Sequence, residues 1–209
     1  MDLSIIMATY NEDPGFLRSC IDSILNQTFK DFEFLIVTEP GEKNEAYLDA
    51  VAAADSRVRV LKNDSRRGVS GSRNRAIRES RGAYIAIVDG DDYYDLRRFE
   101  KQVSFLVDNH HISLVGSNIF LIDTKGSIIG ERLYPQEHER IKKCFLFKMA
   151  VANPSIIVRK EDIAEIGFFD ERLVKAEDFD LWLRFLAMDK KMHNLQERLV
   201  YYRKQSNDN

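Results

Sequence analysis

The sequence predicts an α/β protein: a mainly parallel central sheet flanked by helices, with a small subregion in its second half. Two observations predict it. Apolar β-type runs alternate with amphipathic helical segments from Leu3 to Asp92. That βαβαβαβ rhythm demands right-handed crossovers and parallel strands whose carboxyl ends gather on one edge. The last run, 83–88, is apolar throughout, as a strand buried on both faces is, and it leads straight into Asp89-Gly90-Asp91-Asp92. Open α/β sheets bind their ligands at that edge.

Each element follows from local pattern. Residues 3–8 form the first strand, and Thr9-Tyr10-Asn11-Glu12-Asp13-Pro14 breaks it. Asp13 is placed to cap a helix whose first residue is Pro14, and Phe16, Leu17, Cys20, Ile21, Ile24 and Leu25 recur at helical spacing. Residues 32–37 are a second buried strand, ending at Thr38-Glu39-Pro40-Gly41. A helix over 45–54, a strand over 58–61 and a helix over 69–80 then deliver the chain to the carboxylate strand. Beyond Asp92, Leu96, Phe99, Val103 and Leu106 share one helical face. Strands over 113–122 and 127–133 meet at the turn-forming Asp123-Thr124-Lys125-Gly126. Helices are expected over 141–149, over 160–166 (closed by Gly167) and over 179–187, which Glu177-Asp178 opens. Strands are expected over 155–158 and 199–203.

The carboxylates after residue 88 pose an electrostatic question. Three acids interrupted by a single glycine repel one another, and a divalent cation would relieve them, since hard cations take carboxylate oxygens and bridge to phosphate. Gly90 leaves room for a ligand beside the backbone. The same residues also suit a polar strand-to-helix turn, with Asp92 or Asp95 capping the next helix.

Composition narrows the function classes. At 209 residues, 44% hydrophobic and 31% charged, the chain suits one soluble domain with an ample core. A net charge of −3 argues against nucleic-acid binding. The start shows no basic stretch followed by a long apolar one, and no apolar run approaches the ~20 residues that span a bilayer. Cys20 and Cys144 sit in apolar patterns and are expected as buried free thiols of a reducing compartment, so the expectation is a cytoplasmic protein. His110, His111, His138 and His193 have no metal-ligand spacing.

A set of short motifs carries a resemblance. Gly68, Ser72, Arg73, Asn74, Gly82 and Asp89-Gly90-Asp91-Asp92 stand in a pattern similar to family 2 glycosyltransferases. So do the opening Ser4-Ile5-Ile6-Met7-Ala8-Thr9-Tyr10-Asn11-Glu12 and Ser23-Ile24-Leu25-Asn26-Gln27-Thr28. Asn153-Pro154-Ser155, Gly167-Phe168-Phe169-Asp170 and Glu177-Asp178-Phe179-Asp180-Leu181-Trp182 resemble that family's acceptor half. The motifs cover nearly the whole chain in the expected order.

The resemblance implies a single GT-A domain over 1–209, with a nucleotide-sugar-binding half at 1–95 and an acceptor half at 96–209. It implies inverting transfer from a nucleotide-diphosphate sugar, a UDP-sugar above all, to a hydroxyl of a glycan or lipid-linked acceptor in cell-surface polysaccharide synthesis. A lipid-linked acceptor would bring the protein to the inner face of a membrane. On the matched positions, Asp91 would ligate Mn²⁺ or Mg²⁺, and Asp89 with Gly90 would meet the donor. Thr9, Tyr10 and Glu12 would hold base and ribose, and Arg73 would pair with a phosphate or with Asp89, or else be a solvated charge on an Arg-rich surface. Asp178, with Glu177 beside it, would be the general base. Asp178 shares a helix side with Leu181 and Trp182, a setting that raises a carboxyl pKa, although acids also favour any helix N-terminus. Phe179, Trp182, Tyr201 and Tyr202 are expected in the core.

Two positions depart from the family pattern. Thr38-Glu39 stands where aspartates commonly read the base, and Glu39 would accept from a uracil imide instead. Gln205 follows the last strand where a histidine is common. Two other classes compete with transfer. A nucleotidyltransferase-like enzyme would open on a glycine-rich phosphate loop, which 9–14 lacks. A silent nucleotide-binding module would have no use for Glu177-Asp178 as a base.

Overall fold

The computed structural model describes residues 2–204. Gln205 lies outside the described residues. Strands β1 (Leu3–Thr9), β2 (Phe32–Thr38) and β3 (Val58–Lys62) alternate with helices α1 (Pro14–Leu25), α2 (Glu45–Ala54) and α3 (Gly68–Glu79), and β4 (Tyr84–Val88) closes the first half. Next come β5 (Tyr93–Tyr94), α4 (Arg98–Asp108), β6 (Leu114–Ile122), β7 (Ile128–Arg132) and α5 (His138–Phe145). A 3₁₀ turn at Asn153–Ser155 leads to β8 (Ile157–Arg159), α6 (Lys160–Glu165), α7 (Glu177–Ala187) and β9 (Met192–Arg203).

One continuous sheet runs in the order β3-β2-β1-β4-β8-β6-β9-β5, with β7 paired to β6 off that path. Its first four strands are parallel, as expected, while β8 runs antiparallel to both β4 and β6. β1 supplies both faces. Ile5 and Met7 pack with Leu17, Ile21 and Phe99 on one side, and Ile6 packs with Leu35, Ile77 and Trp182 on the other. Each such fully buried side chain contributes on the order of 1.5–3 kcal/mol. Asp13 caps α1 as expected, accepting from the N–H groups of Gly15 and Phe16 at 2.8 and 3.2 Å.

Gly82 is required by a close approach. A Cβ there would lie 2.7 Å from backbone atoms of Leu3 and Ser4, the place where the chain entering β4 crosses the start of β1.

Several boundaries differ from the sequence reading. The fourth helix begins at Arg98, so Leu96 lies before it and is exposed, and neither Asp92 nor Asp95 occupies its cap. α5 starts three residues earlier than expected and ends at Phe145, because Ile141 and Phe145 are its buried anchors. Residues 153–155 form a 3₁₀ turn, so β8 begins at Ile157. The last strand is twelve residues long. Its polar middle (Gln196, Glu197, Arg198) hides the period-2 pattern, and a register shift against β6 at Ser117–Ile119 absorbs the irregularity. Cys20 is buried and Cys144 half-buried, and both are free thiols. Trp182 is in the core; Phe179, Tyr201 and Tyr202 are half-buried at its margin.

Candidate active site

The register of the parallel strands builds the site. Thr9 pairs with Thr38 and Met7 with Val88, so the loops after β1, β2 and β4 emerge side by side and bring Thr9 to Glu12, Glu39 and Asp89 to Asp92 to one edge. Asn11, at φ 57°, ties the first loop to the second. Its N–H donates to Glu42 Oε2 at 2.7 Å, and its Oδ1 accepts from Lys43 N at 2.7 Å.

A pocket of ≈ 350 Å³ opens between these loops and the start of α3, lined by Thr9, Tyr10, Glu12, Glu39, Arg66, Val69 and Ser72, among others. Arg66 stacks over the Tyr10 ring at 4.7 Å and donates to its hydroxyl. Glu39 is held rigidly, accepting from Ser72 Oγ at 2.8 Å, Asn63 Nδ2 at 3.2 Å and the Arg67 N–H at 3.0 Å. Thr9 Oγ1 is buried without a hydrogen-bond partner among the described residues.

A second, larger cleft of ≈ 670 Å³ lies across the same edge and is lined by residues of both halves, including Arg73, Asp89, Tyr134, Asn153, Glu177 and Asp178. Arg73 joins the halves. Its Nη2 donates to Asp89 Oδ1 at 2.8 Å and its Nη1 to Glu177 Oε1 at 3.2 Å, and its guanidinium lies over the Phe169 ring. Of the alternatives for Arg73, the pairing with Asp89 is the one present, and a solvated charge is excluded because the residue is buried. Asp178 is the second residue of α7, whose N-cap Ala176 is held left-handed at φ 60°. That conformation costs a non-glycine residue about 1 kcal/mol or more and is the kind of strain that gathers at functional sites. Burial pushes the Asp178 carboxyl above the usual carboxylate range and the neighbouring Glu177 adds to this, against the pull of the Phe179 N–H and Arg73.

Beside the larger cleft lies the acidic turn, whose Asp89 lines it. Asp92 is completely buried. Its Oδ1 accepts the Arg203 N–H at 2.8 Å, while Arg203 Nε donates back to the Asp91 carbonyl at 2.8 Å and Nη1 to the Asp123 carbonyl at 2.8 Å. The end of β9 therefore clamps the turn that presents Asp91. Below it, Arg98 is fully buried, donating to the Ile87 and Ile156 carbonyls and to Gln102 Oε1. Burial pushes its pKa down to about 10, with Tyr94 and Asp92 pulling the other way. The sequence reading assigned no role to Arg98 or Arg203. Gly90 lines neither cavity. A Cβ on it would sit 3.3 Å from Glu12 Cγ and 3.4 Å from Met7 Sδ, so its bare Cα makes room for the protein's own side chains.

The acid set fits a hard cation. The Glu12 carboxyl is pushed up to about 7 by burial and then by the charges of Asp91, Asp89 and Glu42, against the pull of Lys43. Among the described residues no three side chains form a ready-made ligand cage. One or two protein carboxylates completed by phosphate oxygens and water is the arrangement that Mg²⁺ uses at nucleotide sites.

This architecture is the GT-A fold of glycosyltransferases. The solved structure of Staphylococcus aureus TarS 1–349 in complex with UDP-GlcNAc superposes with a TM-score of 0.78 at 19% identity, over 100% of this chain and 60% of that one. The chain belongs to glycosyl transferase family 2, whose family model matches residues 4–167. It is 36% identical to a glycosyltransferase of Methanocaldococcus jannaschii, over 99% of this chain and 72% of the relative. It is 34% identical to the O-antigen biosynthesis glycosyltransferase WbnJ of Escherichia coli, over 96% of this chain and 79% of the relative. A third relative, 29% identical over 88% of this chain and 69% of its own length, is the E. coli UDP-Glc:alpha-D-GlcNAc-diphosphoundecaprenol beta-1,3-glucosyltransferase WfgD. The protein is a glycosyltransferase.

Proposed function

We propose that this glycosyltransferase moves a sugar, with inversion, from a UDP-sugar to a hydroxyl of a lipid-linked glycan during surface-polysaccharide assembly. The observation that carries the reading is the Arg73 bridge, which holds Asp89 of the donor side and Glu177, next to Asp178, in one cleft. The names of WfgD and of the TarS complex, which specify UDP-glucose and UDP-GlcNAc, support the donor class.

The smaller pocket takes the nucleoside. Tyr10, braced by Arg66, offers a ring face to the base, and Glu39 Oε2 retains lone-pair capacity for a uracil imide N–H. Thr9 Oγ1, buried and unpartnered, gains a partner when the pocket fills. Asp91, with Asp89 or Glu12, would hold Mn²⁺ or Mg²⁺, which stabilises the charge that develops on the departing diphosphate. Asp178 takes the proton of the acceptor hydroxyl while that oxygen attacks the anomeric carbon on the face opposite the diphosphate. Arg73 orients Asp89 and neutralises Glu177, leaving Asp178 as the basic carboxylate with the raised pKa. A UDP-sugar and a lipid-linked acceptor would meet at the cytoplasmic face of a membrane; among the described residues no helix is long and apolar enough to cross one.

The test is binding of a panel of nucleotide-sugars with and without Mn²⁺, together with the anomeric configuration of any product. The expected result is metal-dependent binding of UDP-sugars that collapses in Asp91→Ala, and an inverted product. Retained metal-dependent binding in that variant removes Asp91 from the metal site, and a retained anomer removes the mechanism.

A further inference from the structure

The turn that closes α5 stands on a helix with two buried anchors. Ile141 and Phe145 anchor the helix in the core, with the Phe145 ring 5.7 Å from that of Phe179. The N–H groups of Leu146, Phe147 and Lys148 then fold back onto the carbonyls of Lys143 and Cys144 at 3.0 to 3.3 Å. That fixed turn projects two large apolar side chains into solvent, Leu146 at 76% and Phe147 at 88% exposure. Its neighbours Cys144, Lys148 and Met149 line the larger cleft, so the projection stands on the rim of the cleft that holds Asp178. Leu133, also in the cleft lining, is a further exposed apolar residue at 58%.

Charge defines what this rim suits. Lys142 and Lys143 occupy the last turn of α5 and Lys148 follows it, all three exposed, while the acidic residue of the helix, Glu139, sits in its first turn. The molecule as a whole is acidic, with net charge −3, so a local group of three lysines around a protruding Leu-Phe pair is a departure from its average. An apolar tip ringed by cations is the pattern of interfacial membrane contact: aromatic and aliphatic groups enter the acyl boundary and lysines stay at the headgroups. Each lysine near an anionic surface adds to that attraction.

We infer that the α5 turn, Leu146 and Phe147 with Lys142, Lys143 and Lys148, docks the protein onto an anionic lipid surface and sets the acceptor cleft against it. The cleft's use rests on the transfer reading above, whereas lipid docking is measured without any transfer. A lipid surface suits the site better than a second protein because the patch is small and cationic, and its two most exposed apolar side chains stand out into solvent, where a deformable phase can take them.

The experiment is co-sedimentation of the full-length protein with vesicles of phosphatidylcholine alone and of phosphatidylcholine with phosphatidylglycerol. The expected result is binding to the anionic vesicles that falls with added salt. It should weaken about tenfold or more in Phe147→Asp with Leu146→Asp, since burial of one such side chain is worth roughly that factor or more. Lys142→Glu with Lys143→Glu should lose binding to anionic vesicles, while UDP-sugar binding is unchanged in both variants. Unchanged UDP-sugar binding shows that the variants are folded. Undiminished vesicle binding in both overturns the inference. So does conversion of an oligomer to a monomer by Phe147→Asp, which would assign the tip to a second copy. If vesicles bind through this turn and no glycosyl transfer is found, the docking surface stands and the transfer reading fails.

Discussion

Arg73 and Glu12 show how charge is arranged at single residues. Arg73 is buried between two carboxylates from opposite halves of the chain, so its charge is matched and its geometry fixed. Glu12 is the converse, a carboxylate among carboxylates. Its folded pKa of about 7 lies above the ordinary 4.5. For an acid raised in this way, the folded state holds the proton more tightly than the unfolded state. Stability is therefore lost as pH climbs from about 4.5 to about 7 and stays lost above it. Glu12→Gln should raise the stability of the metal-free protein at pH 8 by about 1 kcal/mol, a figure reduced from the full linkage value because the side chain is half-exposed. The variant should also lose the wild type's gain in melting temperature between pH 8 and pH 6. An identical pH dependence in wild type and variant would show that Glu12 is not strained by its neighbours. The acidic turn itself was legible in the sequence because Asp89, Asp91 and Asp92 stand together directly after an apolar strand. Arg203 and Arg98 were not legible, since Arg203 contacts Asp91 across 112 residues of chain and an isolated arginine reads as a surface charge until its burial is known.

At the level of elements, the parallel half follows from periodicity and the mixed half does not. β1, β2 and β4 are short, apolar and flanked by turn residues, so their order and burial could be read directly. β5 is two residues long and offers no pattern, and β9 carries polar residues through its centre, so only its end, 199–203, reads as a strand. Yet these two strands pair with each other, and Arg203 at the end of β9 fixes the Asp91 turn. The glycine entering β4 is the most sensitive point of this framework. Gly82→Ala would push a methyl to 2.7 Å from the Leu3 and Ser4 backbone. Forcing β1 and β4 apart should cost about 1–3 kcal/mol, read as a lower denaturation midpoint with an unchanged slope. Stability within about 0.5 kcal/mol of wild type would mean that the backbone crossing relaxes freely.

For the whole molecule, the sheet acts as a ruler that sets two halves against each other. The parallel strands bring three loops together at one edge. β8 then reverses direction beside β4, so that Asn153, in the turn before it, reaches the same edge. The sequence could assign residues to halves, but the antiparallel insertion that makes the halves face each other comes from tertiary pairing and leaves no local trace. One cleft holding Asp89, Arg73, Glu177 and Asp178 results from that insertion.

The central claim, that Asp178 is the base in this cleft, is tested most directly by Asp178→Asn, which keeps the shape and removes the basic oxygen. UDP-sugar affinity should be unchanged while transfer to acceptor falls about 10²–10⁴-fold. The wild type's acidic limb of activity should lie above the ordinary carboxylate range, as the raised Asp178 pKa requires. Transfer within a few-fold of wild type, with the same pH profile, would contradict the assignment and move the base to another carboxylate, with Glu177 the first to examine.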